Sequence, residues 1–275
     1  MIEININPVV FWNVRWYGIL IASGIGLLIL WVSWQIKKCA RISYDTFFTA
    51  ALVGIPSGVV VARLLHVIDN IIVAKLHPEL ALAGRVIDYT QYPERILGGA
   101  GLSIYGAILG ATLGIWIYSR FSELDFGYFT DLLAPGVIIA QVMGRLGCLV
   151  NGCCPGAQTS VPWAIIYTHP GSLGPPSVPT HPSPVYEIIY LLISLGIVLW
   201  LRGRLKPDGS LFLVYLGLYA LWRLGSDFLR VGTPFLFSLH QAQVIAIIVL
   251  VITVPLLIKK TRWVKTKEAN KKEEY

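Results

Sequence analysis

Residues 144–156, GRLGCLVNGCCPG, place a cation, an amide and three thiols at the end of an apolar segment. Arg145 therefore lies at or near membrane depth, where a charged side chain costs at least ~2.5–3.5 kcal/mol on insertion scales. Such a charge normally has an anionic partner or a function. The surrounding glycines allow close approach of backbone or ligand, and Asn151 adds a polar amide. The motif predicts a small cationic pocket at a membrane surface.

The thiols of this motif, Cys148, Cys153 and Cys154, have the spacing C-x4-C-C. A zinc site normally takes four ligands in pairs, and no matching second pair exists, although His181 could complete one. A disulfide from Cys148 to either of the other two stays open, whereas adjacent cysteines rarely bridge each other without strain. We expect small packing residues here, with no metal and no soluble cofactor. The fourth cysteine, Cys39, lies in a basic loop and is predicted to be structural or inert.

Composition indicates a polytopic membrane protein rather than a soluble globule. The chain has 275 residues, of which 55% are hydrophobic and 13% charged, and its mean hydropathy is +0.67. The net charge of +7 does not indicate a nucleic-acid partner, because much of the excess lies in the tail from Lys259 to Lys272. That tail is typical of a cytoplasmic anchor near anionic lipid. The first dozen residues lack the pattern of a cleavable signal peptide, and we expect none.

Seven apolar stretches are near the ~20 residues that cross a bilayer as a helix. The sequence therefore predicts an all-α bundle of seven transmembrane helices in one integral membrane domain, residues 1–275. The predicted spans are 16–36, 46–68, 101–119, 128–150, 184–201, 210–229 and 242–258. In the third span Gly106, Gly110 and Gly114 recur every fourth residue, which predicts close packing against another helix.

The distribution of Lys and Arg orients these spans. Basic residues are concentrated in loops 37–41 and 202–209 and in the tail 259–275. The N-terminus is therefore predicted to lie outside and the C-terminus in the cytoplasm. The longer connections, 69–100 and 151–183, then form a small extracytoplasmic cap. The second contains no Lys or Arg and is rich in Pro, Gly, Ser and Thr, so it is either an ordered cap or a flexible lid.

With this orientation, arginines, amides, hydroxyls and carboxylates gather at the outer ends of the spans. Convergence on one leaflet favours a site over unrelated structural roles. The candidates are Tyr17, Arg63, Ser103, Tyr105, Arg145, Asn151, Gly152, His181, Tyr186, Glu187, Arg223, Asp227, Arg230 and Gln241.

Several candidates also have simpler explanations. Tyr17 could be an ordinary aromatic of the membrane interface. Arg223 and Asp227 are four residues apart on one helix face and could pair with each other. Glu187 could pair with an arginine, and Arg63 with a carboxylate of another helix. His181 precedes a proline, which is typical of a turn.

Together these motifs resemble the bacterial prolipoprotein diacylglyceryl transferase family over nearly the whole chain, roughly residues 10–258. The segment around Arg145 is the most specific of them. The resemblance is carried by RWYG at 15–18, VARLLHV at 61–67, GGAGLSIYG at 98–106, GRLGCLVNG at 144–152, HPSPVYE at 181–187, RLGSDFLR at 223–230 and SLHQ at 238–241.

The resemblance implies an inner-membrane enzyme. It would move the diacylglyceryl group of phosphatidylglycerol to the lipobox cysteine of a prolipoprotein, leaving a thioether and glycerol phosphate. Arg145 and Arg230 would face the phosphate, since guanidinium groups suit phosphate oxygens and stabilise a leaving group that gains charge. Asn151 and Gly152 would hold the head group, and Tyr17 matches a functional tyrosine. The remaining candidates are expected to bind substrate; they are Arg63, Ser103, His181, Tyr186, Glu187, Arg223, Asp227 and Gln241.

The chain also departs from the family pattern. Tyr105 stands where the family has a histidine often assigned as the base, and a phenol is a poor base at neutral pH. Cys148 and Cys153 replace an Asn and a Glu. The acceptor thiol, with a pKa of about 8.5, is already partly ionised, so Tyr105 is expected to donate to a phosphate or glycerol oxygen. Two alternatives stay open: a phospholipid-dependent transferase with another acceptor, and a non-enzymatic lipid-binding or transport protein.

Overall fold

The computed structural model describes residues 1–12, 14–38, 41–76, 78–82, 86–98, 103–230 and 239–264. Helices dominate these residues, and the strands are short and pair in twos. The helices are α1 (Trp16–Lys38), α2 (Tyr44–Leu76), α3 (Pro78–Leu82), α4 (Arg95–Gly98), α5 (Ile104–Phe121), α6 (Phe126–Asn151), α7 (Ser183–Leu201), α8 (Ser210–Ser226) and α9 (Gln241–Lys260). The strands are β1 (Ile2–Ile4), β2 (Val9–Phe11), β3 (Val14–Arg15), β4 (Ile165–Tyr167), β5 (Leu205–Lys206) and β6 (Arg262–Trp263).

Five helices, α1, α2, α6, α7 and α9, are long and apolar enough to cross a membrane. This confirms a mostly helical, polytopic membrane protein. Helices α5 and α8 lie where the third and sixth spans were predicted, but they have only 18 and 17 residues. Seven spans therefore stay a prediction. Two positions of the predicted third span, 101 and 102, lie outside the described residues, as do Cys39 and positions 265–275 of the tail.

Two helix ends differ from the ends of the predicted spans, and the span boundaries themselves stay predictions. Helix α2 continues to Leu76, so positions 69–76, which we expected to begin an outer loop, are helical. This stretch reads DNIIVAKL, in which an apolar run follows Asp69 and Asn70 and neither Pro nor Gly interrupts the helix. At the end of the sixth predicted span, the α-helix stops at Ser226 and is followed by a 3-10 turn, Asp227–Leu229.

The chain forms two compact units, residues 40–126 and residues 1–39 with 127–275. In the first unit, the glycine face of α5 packs directly on α2. A Cβ atom at Gly106 would lie 2.6 Å from Cα of Ala62, and one at Gly110 would lie 2.6 Å from Cβ of Val61. Without side chains on this face the two backbones approach closely. This confirms the predicted role of the repeated glycines.

In the second unit, helices α6, α7 and α8 share an apolar core. Its most buried members are Ala134, Ile138, Leu191, Val198, Leu211 and Tyr215. Large apolar side chains also lie on the outer faces, including Leu30 of α1 and Val251 of α9, which are 66% and 67% exposed. Such exposure is expected where the surrounding solvent is lipid, which is as apolar as leucine.

Backbone pairing ties the connecting segments of the second unit together. Strand β1 runs parallel to β4, with Ile2 opposite Ile165, so the N-terminus is attached to the segment 151–183. A bridge between Gln158 and Thr180 closes that segment on itself, which favours an ordered cap over a flexible lid. Beyond the far end of α7, β5 pairs antiparallel with β6 and joins the basic loop 202–209 to the start of the tail. The direction of this unit in the membrane stays a prediction.

Candidate active site at the end of helix α6

A buried ion pair holds Arg145. Its Nε lies 2.8 Å from Oε1 of Glu187 on α7, and the two side chains are 20% and 3% exposed. A carboxylate this deeply buried requires a cation, because an unpaired one would keep the full cost of desolvation. The pair joins α6 to α7 and uses one edge of the guanidinium group. On the other edge, Nη1 lies 3.9 Å from Sγ of Cys148.

The three thiols meet at this edge of Arg145. Cys148 is one turn further along α6, and its carbonyl oxygen lies 3.8 Å from Sγ of Cys153. All three Sγ atoms lie within 4.8 Å of one another, and all three residues are free cysteines. The disulfide that the spacing left open is therefore not formed. Cys154 has a φ of 61°, in the left-handed region that few non-glycine residues adopt.

A glycine makes this clustering possible. Gly152 follows the last residue of α6 with a φ of 74°, the usual left-handed conformation that ends a helix and turns the chain back. A Cβ atom there would also lie 3.1 Å from the backbone nitrogen of Gly174. Gly152 thus has a clear structural role. Its predicted contact with the lipid head group stays a prediction.

Asn151 and Tyr17 connect the end of α6 to the N-terminal segment. Asn151 is 4% exposed, and its Oδ1 accepts a hydrogen bond from Nη1 of Arg15 at 3.0 Å. Tyr17 packs on Gly147, where a Cβ atom would lie 3.1 Å from its Cδ2. Arg15 was not among the predicted site residues. The sequence feature that could have identified Arg15 was its position in the RWYG segment, beside Tyr17.

A second polar group lies at the start of α7. The hydroxyl of Tyr186 accepts a hydrogen bond from Nε1 of Trp163 at 2.6 Å and lies 3.3 Å from Nδ1 of His181. The backbone nitrogen of Gly156 donates to the carbonyl of His181 at 2.9 Å. Both predicted residues therefore contact the segment that follows the thiols. Trp163 was missed, because nothing in its local sequence distinguishes it from an interface aromatic.

Arg230 reaches the same region from the end of α8. The backbone nitrogen of Ala157 donates to the carbonyl of Leu229 at 2.7 Å, which fixes Arg230 beside the loop after the thiols. The pKa of the Cys154 thiol is lowered by hydrogen bonds from the other two thiols and by the charges of Arg145 and Arg230. Nη2 of Arg230 is buried and makes no hydrogen bond to any residue that the structure describes. The charges of the two arginines expected to face phosphate therefore both act on Cys154.

Arg223 and Asp227 form the pair that the sequence left as an alternative. Nη2 of Arg223 lies 2.9 Å from Oδ1 of Asp227, and both side chains are nearly buried. His240, which was not predicted, lies with Nδ1 4.0 Å from Oδ2 of Asp227. Gln241 is the first residue of α9. This group joins α8 to α9, and its part in substrate binding stays a prediction.

Three candidates belong to the other compact unit. Arg63 donates to the backbone carbonyls of Ile96 and Arg95 at 2.7 and 2.6 Å. Ser103 caps α5 by accepting from the nitrogen of Gly106 at 3.4 Å. Tyr105 is in α5, but its side chain lies outside what the structure describes. The expected roles of these residues in substrate binding and catalysis stay predictions.

Comparison with known proteins gives a consistent result. The sequence profile of the prolipoprotein diacylglyceryl transferase family matches residues 5–259. A phosphatidylglycerol–prolipoprotein diacylglyceryl transferase from Dehalococcoides mccartyi is 45% identical over 275 residues, covering 98% of this chain and 99% of that protein. Proteins of the same name are 30% identical in Clostridium tetani, covering 79% of this chain and 81% of theirs, and in Trichormus variabilis, covering 89% and 83%.

Proposed function

The chain belongs to the prolipoprotein diacylglyceryl transferase family, and we propose that it transfers the diacylglyceryl group of phosphatidylglycerol to the lipobox cysteine of prolipoproteins. The products are a thioether-linked lipid and glycerol phosphate. The names of the relatives support both substrates. A multi-pass position in the bacterial inner membrane fits the apolar helices and gives the site access to a lipid donor.

The main support for the proposal is the fixed position of Arg145. Glu187 holds its Nε at 2.8 Å, so the guanidinium is fixed in place while its Nη edge faces the thiol cluster. In the reaction a thiolate attacks a glycerol carbon, and the bond from that carbon to the phosphate oxygen breaks. The electrons of this bond leave with the phosphate, which becomes more negative. A hydrogen-bond donor that is already positioned where this charge develops stabilises the transition state by about 2.7–4 kcal/mol.

Arg230 supplies the second cation. Its buried Nη2 has no hydrogen-bond partner within the described part of the chain, and its charge acts on Cys154 together with that of Arg145. Two guanidinium groups suit the oxygens of a single phosphate. We assign both to the leaving group.

The neighbouring polar groups orient the lipid. Asn151 uses its Oδ1 to accept from Arg15, which turns its amide NH2 toward Cys153. That NH2 group is a donor for a phosphate or glycerol oxygen. Tyr17 packs on Gly147 from the start of α1, and Gly152 allows the tight turn. Tyr105 is assigned as a hydroxyl donor, as its position in the family motif suggests.

The remaining candidates surround the lipid and the acceptor peptide. His181 and Tyr186 form a polar group at the start of α7, and the Arg223–Asp227 pair anchors the segment that carries Arg230. We also propose seven spans, with the N-terminus outside and the C-terminus in the cytoplasm. Strand β1 pairs with β4, and β5 pairs with β6. The first pairing groups the N-terminus with segment 151–183, and the second groups loop 202–209 with the start of the tail. Both groupings agree with the proposed orientation.

The test is a lipidation assay with the full chain. Purified protein in phosphatidylglycerol vesicles is incubated with a lipobox peptide, and mass spectrometry should show the gain of one diacylglyceryl group. A peptide with serine in place of the lipobox cysteine should stay unmodified. Arg145→Lys, which keeps the charge but loses the planar fork, should lower the rate about 10²–10³-fold. The matched control is Arg202→Lys, since Arg202 lies just beyond the last residue of α7, where it donates to Gln35, and this variant should keep the wild-type rate.

The contrary result is equally clear. An unmodified peptide, under conditions in which the Dehalococcoides relative lipidates it, would refute transfer to a lipobox cysteine by this chain.

A further inference from the structure

We propose that Cys148, Cys153 and Cys154 bind a zinc-like divalent cation whose open fourth position receives the acceptor thiol. The inference rests on the proposed function for the identity of that fourth ligand. It assigns a role to three residues that the arginine chemistry leaves unexplained. It also names the group that converts the acceptor thiol into a nucleophile.

The geometry of the cluster fits three thiolate ligands. In tetrahedral zinc sites with Zn–S bonds of about 2.3 Å, the sulfur atoms lie roughly 3.8 Å apart. Here the three Sγ atoms lie within 4.8 Å of one another. Rotation of the cysteine side chains is enough to shorten these sulfur–sulfur distances to those of a zinc site. Cys148 lies on a helix, whereas the other two follow the turn at Gly152, so the ligands approach from two directions.

The absence of a second cysteine pair does not argue against this site. Four ligands in pairs are typical of structural zinc, which is closed. Catalytic zinc has three protein ligands and keeps one position for water or substrate. Three thiols with an exposed member, Cys154, match the catalytic pattern. The expectation of no metal rested on the four-ligand pattern of structural sites, which a catalytic site does not need.

The charges around the cluster also balance. Three thiolates and a divalent cation together carry a charge of −1, and Glu187 adds another −1. Arg145 and Arg230 supply +2, which makes the whole group neutral. Nη1 of Arg145, 3.9 Å from Sγ of Cys148, is placed to donate to a metal-bound sulfur. Such outer contacts commonly orient metal ligands.

The chemistry follows from the position of the metal. The acceptor thiol loses its proton to water on binding the cation, because a coordinating thiol is deprotonated. The resulting thiolate attacks the glycerol carbon, and the electron pair of the broken carbon–oxygen bond leaves with the phosphate beside Arg145. The metal keeps its oxidation state throughout. No protein base is needed, which removes the difficulty posed by the phenol of Tyr105.

Cobalt(II) provides a direct test, because it replaces zinc and absorbs visible light. Full-length protein is purified under reducing conditions, freed of metal with a chelator and titrated with Co²⁺. We expect one ion per chain, with a thiolate-to-cobalt charge-transfer band and ligand-field bands of tetrahedral geometry. Cys148→Ser should remove the charge-transfer band at the same cobalt concentration. Cys39→Ser is the matched control, since it removes a thiol from another part of the chain and should leave the spectrum unchanged.

The acceptor peptide tests the fourth position. A lipobox peptide should shift the ligand-field bands as sulfur replaces water, and the serine peptide should not. Zinc should restore lipidation to chelated protein. An equal rate with and without zinc would overturn the inference and leave the proposed function intact. A disulfide within the isolated cluster, or cobalt bands that survive Cys148→Ser, would also overturn it. Cobalt bound through the cysteines, with no lipidation of any lipobox peptide, would overturn the proposed function instead.

Discussion

Removing Arg145 should damage the protein in two ways that a second substitution can separate. Arg145→Ala deletes a phosphate-facing cation, and it also leaves the carboxylate of Glu187 without its partner. That carboxylate is 3% exposed, so it cannot recover its hydration without local rearrangement. The double variant Arg145→Ala/Glu187→Gln removes the stranded charge but does not restore the cation.

The two effects have different sizes. Breaking a buried ion pair by removing one partner costs about 3–5 kcal/mol of stability. Losing one fixed donor to a developing charge costs about 2.7–4 kcal/mol of transition-state stabilisation, a factor of roughly 10²–10³ in turnover. The single variant should therefore be both unstable and slow. The double variant should regain most of the stability and stay as slow as the single one.

The assay measures both quantities on the same preparations. Thermal unfolding in detergent with phosphatidylglycerol reports stability, and the initial rate of peptide lipidation at saturating lipid reports turnover. Glu187→Gln alone is the companion variant. It keeps Arg145 charged and in contact with an amide, so it should retain more activity than either variant that lacks the arginine.

Recovery of turnover in the double variant would refute the reasoning. It would mean that Arg145 serves only to neutralise Glu187, and that the phosphate is bound elsewhere. If Arg145→Ala were as stable as the wild type, the predicted loss of stability would be refuted, because a buried carboxylate without its partner destabilises the fold.

Three further predictions concern the groups that surround the site. Asp227→Asn leaves Arg223 with a neutral partner, and we expect about 3–5 kcal/mol lower stability in thermal unfolding, whereas an unchanged midpoint would exclude a structural pair. Gly110→Ala should lower the unfolding temperature of the detergent-solubilised protein, because its Cβ would lie 2.6 Å from Cβ of Val61. Gly26→Ala, which has no atom within 4 Å of its Cβ, is the control, and equal midpoints would contradict close packing. Asn151→Ala should raise KM for phosphatidylglycerol more than it lowers kcat, and the reverse pattern would remove its amide from head-group binding.

Much of the fold was predictable because apolar runs of membrane length have few alternatives. Each predicted span contains a helix of the structure, and the glycine repeat of α5 correctly indicated a close helix contact. The Arg223–Asp227 pair could also be predicted, since residues four apart share a helix face. Helix α2 extends beyond the second predicted span, because a helix can continue past the bilayer and hydropathy does not record where lipid stops.

The site was only partly predictable, because its contacts join distant segments. Arg145 and Glu187 were both candidates, but their separation in the sequence does not indicate that their side chains form an ion pair. The bond from Arg15 to Asn151 spans 136 positions, and Arg15 was missed. The thiol cluster depends on the left-handed turn at Gly152, which brings two cysteines back toward a third. A spacing of C-x4-C-C does not specify that turn.

The last two turns of α6 explain why these contacts belong to one site. Arg145, Cys148 and Asn151 recur every third residue, so they lie along one side of the helix. Each then receives a partner from a different segment: Glu187 from α7, the other thiols from the following loop, and Arg15 from β3. Any shift of this helix end would change all three contacts together. The three contacts therefore depend on one helix end, and the lack of a side chain at residue 147 lets the start of α1 lie directly against it.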